Sequence, residues 1–519
     1  MKKNTRHRAA SVLLVLATAW YLPWALGHLN RSALWLSIPF AAASLLTALL
    51  SLVTVINHWQ RRVPQPRAVE AGQEPAVAVL VPTYGEPPEM VYETARSVLE
   101  QDYPLDKMRL VISDDAHRTA IRFLVQRLRR EAPGALVFYH EPYRRGDPRR
   151  RGEAKAGNLN SVLDVLDRYA PGVEYVETRD ADDVVGDRGF LRQAVGQLLA
   201  EPRAAYVQTI KEARVGPGDP FGNQEALFYR RALAARHAAN AVFPCGSGLV
   251  WRLDALKEVG GFPDWNLVED LQSGVEALRR GWRGLYLPIV GAVGQTAPED
   301  VPNAIKQRGT WALDTMRLSY WGQKRGLSLR QHLQFSELGL FYLLSWAVLI
   351  FCVTPVFALL LGVYPLVATH AEYAYHFWPY AAAIELLLAS LGDGLPFESL
   401  WRARQTWLGM APVYAWATVL ALVYGPNRKP HYRVTRKEHQ HGLYWRETLP
   451  QIALCLALVS ASVYHVAGHS LLYSADLGSL FWAAFFVIGL SRSIRNGWYG
   501  VYDQKVQRLR GWFARRVRG

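Results

Sequence analysis

The chain has 519 residues, half of them hydrophobic and a fifth charged, which is long for one small domain and unevenly mixed for an ordinary soluble enzyme. The apolar residues gather at the two ends and the charged ones between about 60 and 336, the pattern of a soluble domain spliced into a membrane protein. Much of the net charge of +15 flanks apolar runs, including eight basic residues from Arg492 to Arg518 against Asp503; it reads as topology and lipid contact, and without a zinc spacing, an RNA-binding signature or a helix-turn-helix pattern it excludes nucleic acid as a partner.

Two apolar runs open the chain, roughly Ala9–Leu26 and Ala33–Ile56, each long enough to cross a hydrocarbon core of about 30 Å at about 1.5 Å per residue. The first also has the flanks of a cleaved signal peptide, but the second run follows almost at once and favours two spans. Residues 75–330 then alternate strand-like and helical patterns. Val77–Val81, Leu110–Ser113, Leu136–Tyr139, Tyr175–Thr178 and Tyr206–Thr209 read as strands, with a turn at Pro82–Pro88 and a helix from Met90 to Glu100 after the first. This rhythm predicts a mostly parallel, doubly wound α/β sheet, whose ligands bind beyond the carboxyl ends of the strands. The acids lie at those ends: Asp114 and Asp115 after one strand, and Asp180, Asp182 and Asp183 after another. No GxGxxG or Walker loop is present, so dinucleotide and P-loop readings lose support. Three scattered cysteines, Cys245, Cys352 and Cys455, argue against a disulfide framework and fit a reducing compartment.

Four segments of this region carry residue types suited to chemistry. Asp180-Ala181-Asp182 sets two carboxylates two residues apart, where they can converge on Mg²⁺ or Mn²⁺ and, through it, on a diphosphate; a solvated turn is the bland alternative. Lys155-Ala156-Gly157-Asn158-Leu159-Asn160 opens a helix and offers an ammonium to phosphate, or is a plain helix start. Val268-Glu269-Asp270-Leu271 supplies a general base, an N-cap, or both. Gln307, Trp311 and Asp314 share a helix face at i, i+4, i+7, where Trp311 either stacks on a sugar ring or packs into a core.

Further apolar runs follow near Leu340–Val367, with Pro355 inside, Phe377–Leu391, Thr448–Val466 and Leu480–Leu490. The short Tyr414–Tyr424 stretch, after the basic, amphipathic Trp401–Leu408 piece, reads as interfacial or re-entrant. The expectation is six spans with both termini inside, since the loops near Gly27–Arg31 and His469–Asp476 are poor in basic residues. Glu385, inside the fourth span, either lines a polar path or lies near the membrane surface.

Together these residues resemble the processive family 2 glycosyltransferases, and most closely the cellulose synthase-like catalytic subunits. The matching pieces keep the family's order over about residues 75–440: Pro82-Thr83-Tyr84-Gly85-Glu86-Pro87, Asp114-Asp115, Lys155 to Asn160, Asp180-Ala181-Asp182, Val207-Gln208-Thr209, Asp219-Pro220-Phe221, Phe243-Pro244-Cys245-Gly246-Ser247, Glu269-Asp270-Leu271, Gln307-Arg308 with Trp311, and Tyr432 to Lys437. The resemblance implies a cytoplasmic GT-A-type domain over 61–330, inserted between two N-terminal spans (1–60) and a C-terminal part (331–519) with interface helices around Ser328–Leu340 and Leu400–Leu408, four spans, a gating loop at 425–447 and a basic tail. It implies that Thr83, Tyr84, Glu86 and Asp114 or Asp115 hold the uridine of a UDP-sugar, with Lys155 beside the phosphates. Asp180 and Asp182 would bind Mg²⁺ or Mn²⁺ and the diphosphate, and Asp270 would be the base for inverting transfer. Cys245, Gly246, Ser247, Gln307, Arg308 and Trp311 would line the acceptor end, and Tyr432, Val434, Thr435 and Lys437 would belong to the gating loop.

Four positions depart from the family pattern: Ala116 follows Asp114-Asp115 where Gly is usual, Val268 precedes Glu269 in place of Thr, Tyr432 replaces Phe, and Thr310 stands where an Arg that neutralises the pyrophosphate is expected. Arg308 lies about 200° around the helix from that position, which leaves Lys155, Arg436 or Lys437 for the leaving group. The sequence thus predicts a synthase in the bacterial inner membrane that takes glucose from UDP-glucose to a growing β-glucan, with a periplasmic or accessory subunit as a possible partner. The alternatives are a curdlan, mixed-linkage glucan, chitin or hyaluronan synthase, a non-processive lipid-carrier transferase, or an inactive scaffold.

Overall fold

A computed structural model describes residues 2–217, 219–392, 394–430, 442–468 and 475–498. Tyr432, Val434, Thr435, Arg436 and Lys437, the loop 469–474 and the basic tail beyond 498 lie outside the described residues.

Among the described residues eight strands make one sheet: β1 Val77–Thr83, β2 Met108–Asp114, β3 Leu136–His140, β4 Tyr175–Thr178, β5 Asp183–Val184, β6 Ala204–Ala213, β7 Leu249–Arg252 and β8 Arg283–Gly294, in the order β3-β2-β1-β4-β7-β6-β8-β5. β1 is buried along its whole length, as its unbroken apolar run requires of a strand covered on both faces. Its Val79 and Val81 pack with the helices Pro88–Leu99 and Thr119–Glu131, while Ala78 and Leu80 pack with the helix Ala154–Leu163.

The sheet is less parallel than the βαβ rhythm predicts. β3, β2, β1 and β4 run parallel, but β7 is antiparallel to both β4 and β6, and β5 to β8. The reversal matters for what meets at one edge. Thr83 lies beside Asp114, so β1 and β2 end together. Thr178 of β4 lies beside Leu249 of β7, so the outgoing end of β4 faces the incoming end of β7. Gln208 also lies beside Leu249, which brings the second half of β6 to the same edge.

Among the described residues six helices are long and apolar enough to cross a membrane: Asn4–Gly27, Arg31–His58, Leu329–Leu361, Phe397–Tyr424, Leu449–Gly468 and Leu477–Asn496. The count agrees with the sequence reading, but the membership differs. Phe397–Tyr424 is one unbroken helix with Pro412 inside it, not a short stretch after a separate piece. It packs on both parts of the molecule. Thr406 lies against Gly222, Met410, Tyr414 and Ala417 pack on Ala312, Trp321 Nε1 donates to the Ala421 carbonyl (3.1 Å), and Trp265 Nε1 donates to the Pro426 carbonyl just beyond the helix (2.7 Å). On its other side Leu408 packs with Cys352, Leu458 and Phe486 of neighbouring apolar helices. His370–Leu391 is the reverse case: it falls outside the six, yet it lies antiparallel along the first helix, with Ser390 Oγ 2.9 Å from His7 Nδ1 and His376 stacked on Trp24 and Trp20.

The expected interface helix at Ser328–Leu340 and the span after it are one helix, Leu329–Leu361, started by a capping box between Ser328 and Gln331 and ended at left-handed Gly362 rather than at Val367. Glu385 pairs with Arg404 of the Phe397–Tyr424 helix at 2.7 Å.

Candidate active site

The edge where these strand ends converge holds a cavity of about 340 Å³. Of the sequence-predicted residues, Thr83, Tyr84, Glu86, Asp115, Lys155, Asp180, Asp182, Cys245, Gly246, Asp270, Gln307 and Trp311 line it. At one end the turn after β1 closes on Glu86, whose Oε2 accepts from Thr83 Oγ1 (2.8 Å) and the Tyr84 amide (2.8 Å). Asp115 meets Arg150 through both carboxylate oxygens, at 2.5 and 3.1 Å. Tyr84, well exposed, has the Arg145 guanidinium 4.9 Å from its ring. An exposed ring, a carboxylate and the amides of a tight turn are what a planar base with polar edges needs.

In the middle stands Asp180. Lys155 Nζ lies 2.5 Å from its Oδ1 and Lys211 Nζ 2.8 Å from its Oδ2; Lys211 also reaches Asp183 at 2.7 Å. Burial alone would raise the Asp180 carboxyl, but the two ammonium groups outweigh it and hold it well below the usual carboxylate range. Lys155 also donates to the Gly246 carbonyl (3.1 Å) and stands 3.6 Å from Glu269, which links this middle section to the far end.

Asp270 is at that far end, in the first turn of the helix Glu269–Arg279. The N-cap there is Val268, so neither acid caps the helix, although both sit where its dipole favours negative charge. Burial first, then Glu269 beside it, push Asp270 up to about 7, a value suited to a base working near neutral pH. The turn Cys245–Gly248 passes tightly against it. Gly246 has φ +79°, and a Cβ there would come within 3.0 Å of both Asp270 Oδ2 and Lys155 Nζ, so glycine is needed for conformation and for space. Gln208 braces this turn, accepting from the Cys245 amide (2.7 Å) and donating to the Ser247 carbonyl (3.1 Å), a local reason for Val207-Gln208-Thr209. Asp314 lies behind the cavity and accepts from the Val268 amide at 2.7 Å, fixing the approach to Asp270.

Three predicted site residues stand outside the cavity. Asp114 is fully buried and held by Arg118 at 3.0 Å, which also donates to Thr83 Oγ1 at 2.8 Å; it shapes the turn without facing a ligand. Ser247 accepts from the Asp180 amide at 3.2 Å from beneath. Arg308 points away and donates to the Gly222 carbonyl at 2.9 Å. Asp183, one of the acids expected at a strand end, also lines the cavity, and so do Lys211, Arg145 and Glu225, which the sequence reading does not single out. For Lys211 the signal was available: a lysine two residues past the buried Thr209, on a strand ending at the acidic edge.

Among the described residues no group of three or more His, Cys, Asp or Glu side chains is arranged to hold a metal. The cavity instead offers Asp180 and Asp182, hard oxygen donors of the kind Mg²⁺ takes one or two at a time, leaving water and substrate phosphates to complete its shell. That donor set fits a substrate-bridged ion and does not make a closed cage.

Comparison with known proteins agrees with this geometry. The model of glycosyl transferase family 2 matches residues 78–260, and that of glycosyl transferase family group 2 matches 175–390. The chain belongs to the family 2 glycosyltransferases. This transferase is 30% identical over 371 residues to a putative cellulose synthase 2 of Komagataeibacter xylinus, covering 68% of this chain and 23% of that one. It is 29% identical over 373 residues to a UDP-forming cellulose synthase catalytic subunit of Pseudomonas fluorescens, covering 68% and 48%. It thus spans half or less of the length of these two relatives. Among solved structures, a mannosyltransferase of Pyrobaculum calidifontis in complex with GDP-Man and Mn²⁺ superposes with a TM-score of 0.52 at 23% identity, over 74% of this chain and 99% of that one, a likeness of fold. The mixed α/β domain of this transferase is accordingly GT-A-like, a fold consistent with metal-assisted catalysis.

The Asp270 environment gives this transferase an expected pH profile. A base works only when ionised, and a raised pKa means that the proton is retained to higher pH. kcat/KM should therefore be level above about pH 8 and fall about tenfold per unit well below about 7. A lower limb that begins near pH 4 in initial-rate measurements would mean that Asp270 is not the titrating base.

Proposed function

We propose that this transferase is a processive, inverting synthase that moves glucose from UDP-glucose to a growing β-glucan and passes the product across the membrane. The observation that carries the reading is that one cavity is lined in turn by the Tyr84–Glu86 turn, by Asp180 with Lys155, and by the raised-pKa carboxyl of Asp270. An acceptor hydroxyl oxygen bonds to the anomeric carbon as the bond from that carbon to the UDP oxygen breaks. The hydroxyl proton goes to Asp270, and UDP departs as the anion. Asp180 and Asp182 would hold Mg²⁺ or Mn²⁺, which when bound supplies charge neutralisation for UDP. Lys155 orients Asp180 and, through the Gly246 carbonyl, fixes the wall against which Asp270 stands.

Trp311 and Gln307 face the same cavity from the helix Val301–Trp321 and offer a ring and an amide to the acceptor sugar. The Tyr432–Lys437 resemblance supports processivity, and the loops poor in basic residues near Gly27–Arg31 and His469–Asp476 support a cytoplasmic catalytic region and cytoplasmic termini. Thr310 favours a second reading, a polymer other than cellulose. It lines the cavity where the family pattern has an arginine, and its hydroxyl is turned back to the Lys306 carbonyl at 2.8 Å.

The test is purified full-length protein with radiolabelled UDP-sugars and Mg²⁺, followed by linkage analysis. The expected result is UDP release from UDP-glucose with a long β-linked product. No UDP release from any donor refutes the enzyme reading, and one sugar added per acceptor refutes processivity.

A further inference from the structure

Asp180 is held from two sides by lysines with different surroundings. Lys155, on the helix Ala154–Leu163, is also tied to the Gly246 carbonyl and stands near Glu269. Lys211, on β6, has both its ion-pair partners, Asp180 and Asp183, in the acidic turn after β4, and its side chain is 27% exposed, on the cavity wall. The charge around it is unbalanced. Asp180, Asp182, Asp183, Glu225, Glu269 and Asp270 all line this part of the cavity, whereas of the lining cations Arg145 stands over Tyr84 at the nucleoside end. A diphosphate adds further negative charge to that corner. Thr310, on the facing helix, brings no charge.

We propose that Lys211 is a diphosphate-binding residue: it holds Asp180 in the donor-free site and turns its ammonium onto the diphosphate oxygens when the donor enters. A lysine suits the exchange, because its flexible four-carbon stem carries three donors that re-aim without moving the strand. Its departure frees Asp180 Oδ2 of the lysine that holds it. The inference rests on the UDP-sugar reading above.

Calorimetric titration of the full-length protein with UDP and, separately, with uridine tests it. Lys211→Met should weaken UDP binding roughly 10- to 100-fold, the size of a lost charge-assisted hydrogen bond, and leave uridine binding unchanged. Lys211→Gln, which still hydrogen-bonds Asp180, should lose UDP affinity to the same degree, and Lys211→Arg should retain most of it. In the Lys211→Met background, Thr310→Arg should restore UDP affinity by supplying the charge from the opposite wall. Unchanged UDP affinity in both uncharged variants overturns the proposal, as does an equal loss of UDP and uridine affinity, which would make Lys211 a structural brace. Failure of the unsubstituted protein to bind UDP overturns the UDP-sugar reading itself, a result visible before any substitution is made.

Discussion

Asp270→Asn should lower kcat by roughly 10²- to 10⁴-fold, the range that a positioned general base contributes, while UDP affinity stays within about threefold of the original. The substitution keeps the shape and the acceptor oxygen that takes the Leu271 amide at 2.7 Å, so the first turn of the helix Glu269–Arg279 should survive. What it removes is the ability to take a proton. UDP binding should persist because the diphosphate corner at Asp180 and Lys211 is separated from Asp270 by Lys155 and Gly246. Initial rates and calorimetry on the same preparation decide the matter. If UDP binding disappears together with activity, Asp270 belongs to the nucleotide site and another group takes the proton.

Asp180→Asn should be at least as damaging, in a different way. Asp180 is the only carboxylate that both Lys155 and Lys211 touch among the ion pairs of the described residues, and its removal leaves two ammonium groups facing each other across a neutral amide. Transfer should fall by more than about 10³-fold, as when an electrostatic contribution of several kcal/mol to leaving-group stabilisation is lost. The decisive readout is the response of UDP binding to Mg²⁺. In the unsubstituted protein Mg²⁺ should strengthen UDP binding. In Asp180→Asn that response should vanish, while the two lysines, each relieved of one carboxylate, still bind UDP without the ion. A variant in which Mg²⁺ strengthens UDP binding as before would move the ion elsewhere in the cavity.

Much of the parallel half of the sheet is legible in the sequence because β1 is an apolar run closed by a Pro-rich turn, and β2 and β4 lead into the acids Asp114-Asp115 and Asp180. β7 and β8 are not. β7 is four residues long and follows a glycine turn, and β8 contains Pro288 and three glycines, so neither carries a strand's alternation. The same contrast runs through the site. Asp180, Lys155 and Asp270 stand in compact motifs whose chemistry is local. Asp114, Ser247 and Arg308 belong to the same motifs but point into the protein, because adjacent residues of a turn or helix face different ways, and only tertiary packing decides which one meets the cavity. Lys211 carries a sequence signal of its own, two residues past Thr209 on a strand, but its place beside Asp180 depends on the pairing of β6 with β7, which are distant segments.

The helix Val301–Trp321 presents consecutive residues to two surroundings. Trp311 faces the cavity, and Ala312 is buried against Met410, Tyr414 and Ala417 of the helix Phe397–Tyr424. Close-packed helices transmit displacement rather than absorb it. The cavity wall that carries Trp311 and the apolar helix behind it are therefore one mechanical part, and a tilt of that helix would shift the position of the Trp311 ring in the cavity.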